Sequence, residues 1–510
     1  MISPKFKTDS LIAALIFLAA SVWLLAGISN QHMWQDEAQT ACLAKTIISH
    51  GVPLGYDGRN FFSQELGREY GRDYVWRWYP WLSLYVLAPF LYFLGDTTFA
   101  ARLPFALFGA ATVALAYLMA KSMWQSRRAG LLAALALVLN VPFLILSRQC
   151  RYYAPSMFFT LLSLYSCYGL IERRKRSGPV FILSSIALFH TNYLYYAALL
   201  GSAFLYCALF HRSRLKALLA VSGITVLVNA PWIIWFSPLV NSISAVSAFA
   251  VRDYGLFFRE YLRQIRSYIF PPLLLLALPV LWAAGRMLHG KMQPSGTDAH
   301  SWKKAVLLLL FSAATIAAVS LTTPYPFFRY IAPVIPVACL ITALILDRAA
   351  SAHRIAGPVA VGLILILLGS LWSVPDYIYE ITHNYKGPID GIVEYLQKHA
   401  NKGDVVAITY GDMPVKFYTG LRVVGGLTGE DLTPAKNADW VIIRRHVICE
   451  KDMRVRKFLL AEVPLGKYDP IVLNYPDLPF ENREDPAQHL FRTAKDYPVV
   501  LFHRRGTPLR

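Results

Sequence analysis

LIAALIFLAASVWLLAGI, residues 11–28, decides how the rest of the chain is read. With Lys5 and Lys7 ahead of it, the run has the layout of a secretory signal, a basic head and an apolar body. Its 18 residues exceed the roughly 7–15-residue apolar core of a cleaved signal and, at about 1.5 Å each, come close to crossing a bilayer. The run therefore reads as an uncleaved first span whose amino end lies in the cytoplasm.

The composition extends that reading to most of the chain. Of 510 residues 56% are hydrophobic and only 16% charged, so much of the surface must be solvated by lipid. The chain reads as a polytopic α-helical membrane protein. A net charge of +19 suits a nucleic-acid partner, but the excess sits in short loops between apolar runs, where Lys and Arg set orientation. That placement discounts nucleic acid and makes the membrane the partner. The six cysteines are scattered singly and form no dithiol or zinc pattern.

Basic clusters mark the cytoplasmic side: Lys5 and Lys7; Lys121, Arg127 and Arg128; Arg173 to Arg176; Arg212, Arg214 and Lys216; Arg286, Lys291, Lys303 and Lys304; Arg348 and Arg354. Consecutive clusters must be joined by an even number of crossings. Between Lys7 and Lys121 lie three apolar runs, 11–28, 80–94 and 99–120. The middle one, PWLSLYVLAPFLYFL, is the shortest and contains Pro89, so it is assigned to the outer interface. The further spans expected are 129–147, 155–171, 178–190, 193–210, 215–236, 268–285, 304–322, 329–346 and 356–374, about eleven in all. An odd total places the carboxyl end outside.

Two domains follow: a membrane domain over 1–374 with an outer loop at 29–98, and a small α/β domain over 375–510 outside the membrane. The latter rests on a helical pattern, GPIDGIVEYLQKH, and strand-like runs, DVVAIT and DWVIIRR.

Charged residues in the outer segments carry the chemistry. QHMWQDEAQT, residues 31–40, sets Asp36 and Glu37 just beyond the first span. A carboxylate at a helix amino end is favourable by about 0.3–1 kcal/mol, so the pair also suits simple capping. Arg77 lies in the same loop, and Arg102 about one turn inside a span in TTFAARLPFALFG. SRQCRYYAP spaces Arg148 and Arg151 to point the same way on a helical turn, and TTPYPFFRYIAPVIP sets Arg329 and Tyr330 where a helix begins. Arginines on the outer side run against the orientation rule, and guanidinium groups hold phosphate oxygens in pairs. RDYGLFFREYLRQIRSYIF, with Arg259, Arg263 and Arg266 on one stripe, reads as a helix lying on the membrane surface.

The ordered motifs W-x-D-E-A, AARLPFALFGA, SRQCRYYAPSMFF and FRYIAPVIP resemble the GT-C superfamily of membrane glycosyltransferases that use polyprenyl-phosphate sugars, including protein mannosyltransferases and bacterial lipid A aminoarabinose transferases. The likeness covers roughly residues 10–345. It implies an enzyme that moves a sugar from a polyprenyl-phosphate donor to a lipid, glycan or protein acceptor at the periplasmic face of a bacterial inner membrane. Asp36, with Glu37 beside it, matches the acidic position that acts at the acceptor. Arg77, Arg102, Arg148, Arg151, Arg329 and Tyr330 would bind the donor phosphate. The chain departs from the aminoarabinose branch in DEAQ, where Gln39 replaces an arginine, and in WRWYP, where Arg77 replaces a lysine. The glutamate of that branch's divalent metal site has no clear match, so no metal is assigned. A secondary transporter or lipid carrier for an anionic substrate, or a noncatalytic scaffold, also fits many spans; a transporter calls for acids or broken helices near the bilayer midplane, where this sequence has few.

Overall fold

In a computed structural model, the described residues are 4–237, 253–272, 274, 297–352, 354–479, 481 and 483–510. The chain divides into two compact units. One comprises Met1–Leu25, Phe105–Tyr377 and Glu484–Pro486; the other comprises Ala26–Pro104, Ile378–Arg483 and Ala487–Arg510.

The first unit is a helical bundle. Among the described residues, seven helices are long and apolar enough to cross a membrane: Thr8–Leu25, Thr98–Trp124, Tyr153–Ile171, Tyr193–Phe210, Arg212–Phe236, Trp302–Thr322 and Val334–Ser351. Two bent pairs raise the count to nine. Of the other expected spans, 178–190 is the shorter helix Ser177–Phe189, and 268–285 with the Arg286 and Lys291 loop lies largely outside the described residues. Leu11, Leu15, Leu18 and Val22 of the first helix are all exposed, as a lipid-facing surface requires.

The expected single helix over 129–147 is instead two, Arg127–Leu139 and Val141–Arg148, bent by 70°. Asn140 and Pro142 cause the break. Pro142 has no N–H to continue the ladder, and the Asn140 side chain accepts from the Phe143 N–H at 2.9 Å, capping the second helix. A second bend, of 58°, separates Gly357–Leu371 from Val374–Thr382. Close helix approach depends on Gly109, where an added Cβ would lie 2.6 Å from the Cβ of Ser147.

Basic residues of one cluster are neutralised by carboxylates in the same unit. Lys121 and Arg127 both pair with Asp9, at 2.5 and 2.8 Å, and Arg128 pairs with Asp347 at 2.6 Å. Four helices are thus tied at one end of the bundle. The helix expected at 252–270 runs over Tyr254–Gln264 and continues as a π-turn to Ile269. It buries Phe257, Tyr261 and Gln264 while leaving Phe258 and Leu262 exposed.

The second unit contains a five-stranded sheet: β1 (Val405–Ile408), β2 (Arg422–Gly425), β3 (Trp440–Ile442), β4 (Tyr468–Pro476) and β5 (Pro498–Arg504), in the order β2-β1-β3-β5-β4. The first three are parallel, and β5 is antiparallel to β3 and β4. Val406 and Ile408 of β1 face the helices Pro388–His399 and Asp412–Thr419 through Ile392, Leu396 and Val415. Ala407 faces the other way, toward Val455 and Leu459 of the helix Glu450–Glu462. Burial on both faces explains the continuous apolar run of this strand.

Segment 26–104 is part of the same body. Asn60 donates to the Leu421 carbonyl and accepts from the Val423 N–H, both at 2.8 Å, so its side chain caps the free edge of β2. Lys416 and Asp412, both fully buried, pair at 2.7 Å; Lys416 also donates to the Phe61 carbonyl, and Gln35 donates to Asp412 at 2.7 Å. Leu82–Leu94, the run expected at the interface, is a 13-residue helix. At about 20 Å it is too short to cross a bilayer alone.

Candidate functional site

The acidic pair opens the helix Gln35–His50, whose amino end is capped by no side chain of Trp34. Asp36 and Glu37 both lie in the first turn, where the exposed N–H groups and the helix dipole favour negative charge. Their surroundings differ sharply. Glu37 is fully buried and receives two hydrogen bonds from Arg102, at 2.8 and 2.7 Å. The same guanidinium donates to the carbonyls of Ile28, Gln31 and His32. Arg102 thus fastens the turn ahead of the acidic helix, and Glu37 balances its charge. Asp36, next along the turn, is only half-buried.

Gln39, at the position where the resemblance has an arginine, donates to the Phe62 carbonyl at 2.8 Å and so holds the loop beyond the helix. Arg77 forms a two-bonded pair with Asp73, at 2.8 and 2.6 Å, on the exposed side of that loop. The guanidinium beside it holds the Asp73 carboxyl below its ordinary range.

Several residues far along the chain reach the acidic turn. His32, four residues before Asp36, pairs with Asp390. Tyr410, just past β1, lies within the electrostatic reach of Asp36 and accepts a hydrogen bond from Arg483 at 3.0 Å. Desolvation pushes the Tyr410 phenol up to about 12, opposed by Arg483 and reinforced by the charges of Asp36 and Glu481. The Arg483 guanidinium also lies 5.8 Å from the ring centre of Trp34. No local pattern around residues 410 or 483 signals this, because the contact depends on folding of the sheet.

The other arginines belong to the membrane unit. Arg148 closes the second half of the bent helix, is 7% exposed, and stacks 5.3 Å from the ring centre of Tyr377. Arg151 follows one turn later, 8% exposed, over Tyr152. Arg329 pairs with the buried Glu484 and lies over Phe327 and Tyr330. Desolvation raises the Tyr152 phenol, with Tyr330 adding to the shift and Arg329 and Arg151 opposing it. Arg151, Arg329 and Tyr330 therefore share one neighbourhood around Tyr152. Tyr195 joins it by donating to the Tyr330 carbonyl at 3.1 Å.

A cluster of cations with phenols, desolvated but held by charge and stacking, can stabilise a phosphate ester and the charge that grows on it as a bond to it breaks. A half-buried carboxylate at a helix amino end can accept a proton. Among the described residues, no three His, Cys, Asp or Glu side chains gather to hold a metal ion.

Residues 79–235 match the family model described as dolichyl-phosphate-mannose-protein mannosyltransferase. No curated protein matches the sequence significantly. Among solved structures, the chain is similar to ArnT from Cupriavidus metallidurans bound to undecaprenyl phosphate, at 15% identity and a TM-score of 0.55, covering 97% of this chain and 98% of that one. The apo state of the same protein gives a TM-score of 0.57 at 15% identity and the same coverage of 97% and 98%. Residues 79–235 thus match the mannosyltransferase family model, and nearly the whole chain shares the fold of the ArnT structures.

Proposed function

We propose that the protein transfers a sugar from an undecaprenyl-phosphate-type donor to an envelope acceptor at the periplasmic face of a bacterial inner membrane, with inversion at the anomeric carbon. In this reading the amino terminus is cytoplasmic and the sheet-containing unit is periplasmic. The observation that carries it is the contrast within the acidic pair: Glu37 is buried against Arg102, whereas Asp36 is half-buried and within electrostatic reach of Tyr410, to which Arg483 donates a hydrogen bond. The family match and the undecaprenyl phosphate bound by the structural relative supply the donor class.

Asp36 accepts the proton of the acceptor hydroxyl as its oxygen attacks the anomeric carbon. The bond from that carbon to the phosphate oxygen breaks, and its electron pair leaves with the polyprenyl phosphate. Arg148, Arg151, Arg329 and Tyr330 take the role of stabilising that leaving charge. Glu37 and Arg102 act as the framework of the turn. Arg77, paired with Asp73, is assigned to the donor's headgroup.

The test is an assay of purified protein with a labelled undecaprenyl-phosphate sugar and an envelope lipid extract. Cleavage of the sugar–phosphate bond with label passing to an acceptor is the expected result, and Asp36→Asn should abolish it while the protein stays folded. Movement of the intact donor across a bilayer without cleavage would show a carrier instead. An undiminished rate in Asp36→Asn would remove the assigned base.

A further inference from the structure

The sheet of the second unit has a switch point that the transfer reaction as described does not yet use. The helix after β1, Asp412–Thr419, packs on one face of the sheet, and the helix after β3, Glu450–Glu462, packs on the other. Adjacent parallel strands whose following helices part in this way open a crevice at their carboxyl ends, where open α/β sheets bind ligands. The residues that follow these strands are Thr409 and Tyr410 after β1 and Arg444 after β3. The Arg444 N–H donates to the Thr409 hydroxyl at 2.9 Å, holding the two loops together.

Arg444 itself is committed. It is 3% exposed, pairs with Asp477, and approaches Glu481 at 3.4 Å. The residues that point from this edge toward the acidic turn are Tyr410 and Arg483. Arg483 donates to the Tyr410 hydroxyl at 3.0 Å and its guanidinium lies 5.8 Å from the centre of Trp34, the residue two places before Asp36. It is thus bracketed by a phenol and an indole, both bordering the proposed base. Nearby charged groups have partners of their own, His32 with Asp390, Glu37 with Arg102 and Glu481 beside Arg444, and Arg483 also donates to the Gln488 side-chain oxygen at 3.3 Å.

We propose that Arg483, seated on Tyr410 at the switch point of the sheet, is a positioning residue for the Asp36 base, so that the carboxyl-terminal α/β region is part of the transfer machinery. The inference rests on Asp36 being the base. Arg483 supplies positive charge at Tyr410, which lies within electrostatic reach of Asp36, and its hydrogen bond to the phenol fixes where that charge sits. A cation so placed keeps Asp36 ionised when the acceptor hydroxyl arrives, which an isolated carboxylate losing water to an incoming acceptor would not guarantee.

The experiment measures transfer from a labelled undecaprenyl-phosphate sugar to an envelope lipid extract from pH 4 to 9, using the full chain in lipid nanodiscs. Variants are Arg483→Gln, Arg483→Lys, Tyr410→Phe and Asp36→Asn. Removing the charge in Arg483→Gln should move the acid limb of the pH–rate profile upward by about one unit, and Tyr410→Phe by about half as much. Arg483→Lys should restore the limb. A rate lowered equally at every pH in Arg483→Gln and Tyr410→Phe, with the limb unmoved, would make both residues merely structural and overturn the inference. Full transfer by Asp36→Asn would overturn it too, and with it the proposed base; an inactive Asp36→Asn beside an unmoved limb would overturn the inference alone.

Discussion

Asp36 and Glu37 are neighbours in sequence with nearly the same side chain, and the structure assigns them opposite costs. Glu37→Gln removes the negative charge opposite Arg102, which is 4% exposed and receives two carboxylate contacts, at 2.7 and 2.8 Å. Breaking a buried pair by neutralising one partner costs about 3–5 kcal/mol, because the other charge is left in a poor solvent. The three carbonyls that also accept from Arg102 remain, so the lower end, about 3 kcal/mol, is expected. Asp36→Asn removes a half-buried carboxylate and should change stability by less than about 1 kcal/mol. Transfer should respond in the reverse sense. Loss of a general base lowers the rate by about 10²–10⁴ in Asp36→Asn, whereas the Glu37→Gln protein that remains folded should work within about tenfold of the parent. Titration with SDS in mixed micelles, followed by tryptophan fluorescence, reads the stability; transfer per folded molecule reads the chemistry. Should Glu37→Gln prove as stable as the parent yet as inactive as Asp36→Asn, Glu37 would be chemical and the division of roles refuted.

Arg329→Gln should raise KM for the donor by about 10–100-fold, the value of a hydrogen bond to a charged group, while leaving KM for the acceptor unchanged; equal losses would count against its phosphate role. Lys416→Met should destabilise the second unit by about 3–5 kcal/mol, since Asp412 is fully buried with it, and adding Asp412→Leu should recover most of the loss. Both effects are measured by the same SDS titration. Burial pushes the Glu481 carboxyl from 4.5 to about 7, against the pull of Arg444. A carboxyl that holds its proton more tightly when folded contributes most below its unfolded value near 4.5, and that contribution fades as pH rises through 7. The second unit should therefore lose up to about 3 kcal/mol between pH 4.5 and 8, a slope that Glu481→Gln should flatten.

The membrane part of this architecture is legible because lipid forces long apolar runs, and runs such as 11–28 and 193–210 need no partner to be recognised. The break at Asn140 is not legible from hydropathy, which is equally high on either side. Only the capping geometry of Asn140 and the missing N–H of Pro142 turn one run into two helices. The strands at 405–408 and 440–442 follow from their apolar runs. Their partnership with segment 26–104 does not, since Asn60 meets Val423 only across 363 positions of chain. The same distance effect hides Tyr410 and Arg483. Sequence singles out Glu37 and Arg102 as charges needing a reason, yet assigns them to substrate; it cannot show that each is the other's reason.

Asn60 sealing the rim of β2 also has a bearing on how the protein is made. Segment 26–104 emerges early in synthesis, whereas the strands it borders arrive hundreds of residues later, after the bundle has been threaded into the lipid. Until then segment 26–104 lacks the lysine, tyrosine and edge-strand contacts that brace it. Maturation of this chain is thus a late, long-range closure, and a nascent chain halted before β3 would hold its proposed base in an unfinished shell.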